Sequence, residues 1–406
     1  MRTSADRILT SHAGSLPRPD ALIEANRARE VGGATDEHAF QQKLRAAVGD
    51  VVRRQKDLGI DIPGDGEFGK SMGQRVNYGA WRSYSFQRLA GLDFAGPSSY
   101  DSTPRRSVPG AVVLTNFADR RDRARFAAAY ADPDSGTSMG VRAAAPTCVG
   151  PLTYIGHEAI KADIANFKAA LAGVDVAEAF LPANSPGTIE HWLLNECYKT
   201  DEEFLFAIAE VMREEYRAIV DAGLLLQIDD PDLPDGWNCL PAITLPEYRN
   251  YAALRVEALN HALSGIPKKQ VRLHVRWGSH HGPHHDDVPL KDIIDLIFRV
   301  QAGSFSIEAS NPCHEHEWRV FEEAKLPEGA TLVPGVVGHC TDFIEHPDLV
   351  AERLVRYARL VGRENVLAGT DCGLGTRVGH PSICRAKFEA LADGARRATK
   401  ILWGGG

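Results

Sequence analysis

The segment Leu273-His274-Val275-Arg276 reads as the end of a short apolar β-strand that delivers an imidazole to its tip. Two later segments end in the same way, Ser306-Ile307-Glu308 in a carboxylate and Gly369-Thr370-Asp371-Cys372-Gly373 in a thiol. Nitrogen, oxygen and sulfur donors from three strand ends suit zinc, which accepts all three. Arg276 lies two residues past His274 and therefore faces the same side of the strand. It stands where a fourth ligand would be expected, and a guanidinium, with five donors and no acceptor, cannot bind a metal.

Outward from that strand the same rhythm repeats. Strand-like runs end at Ser15-Leu16-Pro17, Pro63-Gly64-Asp65-Gly66-Glu67, Ala145-Pro146, Ala179-Phe180-Leu181, Gln227-Ile228-Asp229, His274, Glu308, Val336-Val337 and Gly369-Thr370. Between them, apolar residues recur at helical spacing over 43–58, 201–222, 246–263, 290–301, 347–361 and 381–401. Alternating strand and helix predicts a parallel sheet, and about eight such units predict a (β/α)8 TIM barrel. Nine candidate strands compete for eight places, so one is misassigned or lies outside the barrel. Residues 68–140, rich in Tyr, Trp, Arg, Ser and Gly, break the rhythm, with one β-like run at Val112-Val113-Leu114-Thr115. They read as an insertion covering one end of a single domain that spans 1–406.

The chemically capable residues gather at the C-terminal ends of these runs: Asp65, Glu67, Asp229, Asp230, His274, Glu308, His339, Asp371 and Cys372. Barrel enzymes place their chemistry at that face. A doubly wound open sheet would call for a glycine-rich phosphate loop after the first strand, and the sequence has none there.

The 406 residues are 44% hydrophobic and 25% charged, the balance of a globular chain able to bury a sizeable core. A net charge of -8 argues against a general nucleic-acid or anionic-membrane surface, since both need basic patches. Arg120-Arg121 and Arg396-Arg397 read as solvated helix faces. No apolar run reaches the roughly 18 residues of a membrane span, and the first residues lack a signal-peptide core, so a cytoplasmic protein is expected. Seven cysteines without paired spacing fit a reducing compartment. Eleven of the 15 histidines fall after residue 260, which concentrates metal-binding and proton-carrying capacity there. The Gly404-Gly405-Gly406 tail is expected to fray.

A lone strand histidine is more often structural than ligating, and a lone buried cysteine is usually an inert small hydrophobe. Three such residues at equivalent strand ends reverse those odds. The loop after His274 adds His280, His281, His284, His285, Asp286 and Asp287, any of which would replace a missing ligand or shuttle protons, or simply be solvated. His314 and His316 resemble a metal tract but open a helix, where capping is the commoner role. Asp229, Asp230, Asp65 and Glu67 are candidates to hold a substrate amine or act as bases, or else to cap helices and pair with cations. His339 is a candidate acid or base and Arg18 a candidate anion clamp; a structural role is open for each.

The motifs Gly14-Ser15-Leu16-Pro17-Arg18, Asp65-Gly66-Glu67, Gln227-Ile228-Asp229-Asp230-Pro231 and Gly369-Thr370-Asp371-Cys372-Gly373, in this order and spacing, resemble the catalytic barrel of cobalamin-independent methionine synthase. The likeness is greater to its single-barrel relatives, which include the epoxyalkane:coenzyme M transferases, and it covers nearly the whole chain. The resemblance implies zinc at the barrel mouth, held by a His-x-Cys pair, a Glu and a distant Cys in an Asp-Cys-Gly turn. His274, Glu308 and Cys372 match three of these, and Arg276 replaces the first Cys. It also implies that Asp229 and Glu67 contact the polar end of a thiol acceptor, and that His339 protonates the leaving group.

Losing one thiolate takes such a zinc from a formal charge of -1 to zero, which makes it a better Lewis acid. Arg276, always cationic, must find an anion: a substrate carboxylate, sulfonate or phenolate, or Glu308 itself. The expected function is a zinc-dependent transfer of a methyl or other alkyl group to a small-molecule thiol. The alternative is a repurposed zinc barrel that runs a lyase or hydrolase reaction on an anionic substrate clamped by Arg276. Partners are then small molecules, a thiol acceptor and an alkyl donor, and the sequence is compatible with a homo-oligomer.

Overall fold

Apolar and polar residues alternate along the central strands, and the two sets go to opposite faces. The computed structural model describes residues 1–30, 36–73, 80–94, 105–106, 113–114, 120–132, 134–135, 137, 146–240, 243–279, 281–375, 377–378 and 380–404. Six strands form one parallel sheet in chain order: β1 (Phe180–Asn184), β2 (Leu225–Asp229), β3 (Val271–Val275), β4 (Ser304–Glu308), β5 (Thr331–Val337) and β6 (Gly369–Thr370). Parallel neighbours cannot be joined by tight hairpins, so the connections run back over the sheet and most carry helices.

Along β2 to β4, Leu226, Ile228, Leu273, Val275, Phe305 and Ile307 pack beneath the helices in the main core. Burying each such side chain contributes ~1.5–3 kcal/mol. The alternate residues Gln227, Asp229, Arg272, His274, Ser304 and Ser306 take the concave face of the curled sheet. A second, smaller cluster of Leu9, Ile62, Phe180, Leu225, Val333 and Leu367 fills that side near the strand starts. Single parallel bridges continue the pairing past both edges, from Ala368 to Thr10, from Ser11 to Ile62 and from Gly64 to Phe180.

The run expected to end at Ala145-Pro146 falls largely outside the described residues, and the strand that begins just after it is not part of this sheet. Thr147–Tyr154 pairs antiparallel with Leu89–Asp93 and parallel with Leu194–Asn195 in a three-stranded sheet of its own. The run expected to end at Ser15-Leu16-Pro17 makes its bridges earlier, at Thr10 and Ser11, and 12–19 is loop. The helix expected over 290–301 is broken into a 3-10 turn, Leu290–Asp292, and the single turn Ile294–Ile297, because Ile293 adopts φ -134° between them. The other long helices appear at Glu37–Asp57, Asp201–Asp221, Leu245–Ala262, Pro347–Val361 and Pro381–Trp403. Thr200 caps the second of these by accepting from Glu203 N–H at 3.1 Å, and a Thr244/Glu247 capping box starts the third.

Within 68–140 the described parts include the helix Ala80–Gln87, the strand Leu89–Asp93, a two-residue ribbon of Arg105–Arg106 with Val113–Leu114, and short helices Arg121–Arg125 and Ala127–Ala131. Val112, Thr115, Ala145, His280 and Gly405-Gly406 lie outside the described residues. Among the described residues, no helix is long and apolar enough to cross a membrane.

Candidate functional site

Strand register lines up the polar residues. Asn184 pairs with Asp229, Asp229 with His274, and His274 with Ser306. Further along, Glu308 pairs with Gly335 and Gly335 with Gly369. In a parallel sheet in-register neighbours project to the same face, so the C-terminal ends of the strands build one polar mouth.

One side of the mouth carries the acids. Glu67 has φ 62°, and its backbone N–H donates to Asp65 Oδ1 at 2.8 Å. Its carboxylate lies 3.2 Å from Lys70 Nζ, and both side chains are buried. Burial, with the charges of Asp163 and Glu67 nearby, lifts the Asp65 carboxyl to about 7. Burial and the Glu67 charge also raise Asp229, against Lys70 and a 2.7 Å hydrogen bond from Gln227. Arg18 donates to the backbone carbonyls of Glu67 and Lys70, the latter at 2.8 Å, so its guanidinium holds the loop that presents Glu67. Asp230 is raised by burial to about 7 and accepts from Thr188 Oγ1 at 3.4 Å.

The other side carries ligand-type groups. His274 is buried, with Nδ1 3.3 Å from Ser306 Oγ and Nε2 without a hydrogen-bond partner. Burial, helped by Arg276 and Arg272, lowers it to about 3, so the ring is neutral. Burial pushes the Cys372 thiol up to about 11 against the pull of Arg276, and Ser279 Oγ lies 4.0 Å from its sulfur. Glu308 accepts from Trp277 N–H at 2.8 Å and from Asn311 Nδ2 at 3.1 Å. His339, buried beside Arg276 and Arg377 and held well below its ordinary value, hydrogen-bonds Ser279 Oγ at 2.8 Å. Asp371 is raised by burial and by Glu308. Arg276 sits buried between the two sides: burial opposes its charge, but Cys372, Asp235, Glu308 and Asp229 outweigh that and raise it.

Zinc is the metal that the resemblance implies, and the orphaned His274 Nε2 is the kind of atom a metal would satisfy. The full set does not fit the ion, however. Among the described residues, the one group of three ligand-type side chains with donor atoms within 4.8 Å of one another is Glu308, His339 and Asp371. His274 and Cys372 stand outside it, and bonds of ~2.0–2.3 Å require donors closely gathered round the ion. Glu308 alone belongs to both sets.

His284 and His314 are engaged by carboxylates. His284 Nδ1 lies 2.7 Å from Asp287, and His314 Nε2 approaches the same carboxylate at 3.0 Å while its Nδ1 meets Glu317 at 2.8 Å. Burial opposes the charge of His314, but those two bonds outweigh it and raise the ring to about 10. His314 also stacks on Trp277 with ring centroids 4.0 Å apart, which braces the Trp277 N–H that Glu308 accepts. His281, His285 and His316 are exposed. The residues before 140 reach the His284 loop and the helix after β2: Asp122 accepts from His284 N–H at 3.0 Å, and Arg120 forks onto Asp235. Lys70 and Ser279 are not singled out as site residues by their sequence alone. The i, i+3 spacing of Glu67 and Lys70 was a readable signal for the first. Ser279 offers none.

Such a mouth, acids on one side and ligand-type groups on the other of a curled parallel sheet, marks an α/β protein with its chemistry at the strand ends. The family described as the cobalamin-independent synthase catalytic domain matches residues 147–395, and the chain belongs to it. It is similar to the methionine synthase of Thermococcus kodakarensis, 24% identical over 366 residues that cover 90% of this chain and 86% of that one. The methionine synthase of Saccharolobus islandicus is 25% identical over 391 residues, 95% of this chain and 93% of its own. The fold is shared with the B12-independent methionine synthase of Shewanella sp. W3-18-1, solved with selenomethionine, at a TM-score of 0.69 and 19% identity, covering 98% and 99% of the two chains.

Proposed function

We propose that the protein is a transferase that moves a methyl or other alkyl group to a small-molecule thiol. Membership of the family and the likeness to methionine synthases over nine-tenths of the chain support the reaction class. The observation that carries it to this chain is the buried acid side of the mouth, Glu67 with Lys70 and Asp229 with Gln227, facing Arg276. Glu67 and Asp229 bind the polar end of the acceptor, with Asp65 and Asp230 beside them. Arg276 meets an anionic group of donor or acceptor, and Arg18 positions the Glu67 loop. The acceptor sulfur gives its electron pair to the alkyl carbon, the carbon's bond to the leaving group breaks with its pair, and the thiol proton leaves to solvent or the leaving group.

In the same reading the bridges at Thr10, Ser11, Ile62 and Gly64 close the curled sheet into an eight-stave barrel, and 68–140 forms an insertion over its mouth, anchored through Arg120 and Asp122. The test is thioether formation followed by mass spectrometry, with aminothiols and mercaptoalkanesulfonates offered against methyl donors and epoxides. Product that falls at least ~10-fold in Glu67→Gln and Asp229→Asn is the expected result. No thioether from any pair would refute alkyl transfer to these thiols.

A further inference from the structure

Three ligand-type side chains meet where β4, β5 and β6 end. Glu308 is the last residue of β4, His339 lies two past β5, and Asp371 follows β6 directly. They are 3%, 1% and 2% exposed, and their ligand atoms lie within 4.8 Å of one another. Yet none of the three hydrogen-bonds another. Each is held by a partner outside the group instead. Glu308 accepts from Trp277 N–H and Asn311 Nδ2, and His339 hydrogen-bonds Ser279 Oγ, with Cys340 Sγ 3.3 Å from its Nε2 and 3.7 Å from its Nδ1. Asp371 accepts from Ala309 N–H at 2.8 Å, Ser310 N–H at 3.0 Å and the Ser310 hydroxyl.

Metal ligands are oriented by outer hydrogen bonds of this kind. A carboxylate offers about four acceptor positions, so both Glu308 and Asp371 retain capacity. Two buried carboxylates side by side are relieved by a proton or by a cation between them. The backbone is shaped for it: a Cβ on Gly335 would lie 2.3 Å from Asp371 Oδ1, so only glycine admits that carboxylate.

We propose that Glu308, His339 and Asp371 are the seat of a divalent first-row cation, zinc or manganese, in place of the His274, Glu308 and Cys372 set of the family pattern. One nitrogen and two oxygens without sulfur suit either ion, and the remaining positions take an oxygen ligand, from water or substrate. His339 is then a ligand rather than the proton donor to a leaving group, and His274 and Cys372 line the seat without building it. The seat shares the mouth with the proposed alkyl transfer but does not depend on it.

Full-length protein is stripped with a chelator and titrated separately with Zn²⁺ and Mn²⁺, with bound metal measured by elemental analysis. Co²⁺ serves as the spectroscopic probe. The expected result is one ion per chain, kept within ~3-fold in affinity by His274→Ala and Cys372→Ser and weakened on the order of 100-fold by His339→Ala and Asp371→Asn. The cobalt spectrum should lack a thiolate-to-metal charge-transfer band. Metal lost from His274→Ala and Cys372→Ser but kept by His339→Ala, with a thiolate band present, would overturn the proposal. So would wild-type protein that binds neither ion. Asp371→Asn also removes loop hydrogen bonds, so thermal unfolding of every variant without metal is recorded, and His339→Ala must lose the ion while remaining folded. These readouts need no substrate, so a failure of alkyl transfer and a failure of the seat are separately visible.

Discussion

The Glu67 carboxylate fills the space above Gly14 where a side chain would stand: a Cβ on Gly14 would lie 2.3 Å from Glu67 Oε1. Gly14 has φ 123°, so any other residue there is strained as well as crowded. Glu67 is itself held at φ 62°, a conformation that costs ~1–3 kcal/mol and persists only where the surroundings fix it, here Asp65, Lys70 and Arg18. Gly14→Ala should swing the carboxylate away from its position at the mouth. The expected effect is a rise of ~10-fold in KM for the thiol acceptor with kcat changed by less than ~3-fold, read from steady-state kinetics. An unchanged KM would show that Glu67 does not contact the acceptor.

Arg120 and Asp235 tie the residues before 140 to the short helix that follows β2. Both are buried, and the guanidinium meets the carboxylate through two hydrogen bonds, one of them 2.8 Å long. Arg120→Ala leaves Asp235 as an unpaired buried charge, which costs ~3–5 kcal/mol in urea unfolding. Replacing both partners with apolar residues of similar volume, Arg120→Met with Asp235→Leu, should recover most of that loss, since a buried pair adds little over good apolar packing. A double variant no more stable than the single one would assign Arg120 a role other than pairing with Asp235.

The sheet was largely legible because its strands alternate: Leu226, Ile228, Leu273, Val275, Phe305 and Ile307 announce a face covered by helices, and β1, β2, β4 and β6 stop at a polar residue. The strand at Thr147–Tyr154 has the same local pattern, and only its antiparallel partner Leu89–Asp93, more than fifty residues earlier, removes it from the main sheet. Local periodicity carries no information about such pairing. Within the mouth, Asp229, Glu67 and Glu308 stood out as carboxylates at strand ends. The convergence of Asp371 with Glu308 and His339 did not, because it depends on how sharply the chain turns after β5 and β6. For the histidines after 274 the sequence left ligand, proton-shuttle and solvated roles open, and only the structure shows His284 against Asp287 and His314 between Asp287 and Glu317.

Asp230 gives stability a pH dependence of known sign. It is 2% exposed, and burial, reinforced by the charge of Asp232, lifts its carboxyl to about 7 although Ser185 and Thr188 donate to it. Its folded value therefore lies above the ordinary 3.8. The folded protein keeps a proton that the unfolded chain releases between about pH 4 and about pH 7. The stability this contributes is complete below about pH 4 and is lost as pH rises through about 7, with a slope of up to ~1.4 kcal/mol per pH unit. Asp230→Asn is neutral throughout and should remove this share of the slope in urea titrations across that window. Parallel profiles for variant and wild type would assign the slope to other groups.

Arg276 lies buried in the mouth, and Arg276→Cys restores the residue of the family pattern. The substitution removes a buried cation and places a second thiol near Cys372, which favours a soft-ligand zinc site over the oxygen-rich seat. If the native reaction is thiol alkylation with an anionic group on Arg276, the variant should lose ~10–100-fold in kcat/KM for sulfonate or carboxylate acceptors, while turnover of uncharged thiols rises. If the protein instead runs a lyase or hydrolase reaction on an anionic substrate, the same change should abolish that activity without any gain in thioether formation. Arg276→Lys separates charge from shape: it keeps the cation but not the planar fork, so a bidentate contact predicts a loss close to that of Arg276→Cys, whereas a purely electrostatic role predicts near-wild-type KM. Competition between one sulfonate thiol and one uncharged thiol, measured in a single reaction for wild type and both variants, reads these outcomes directly.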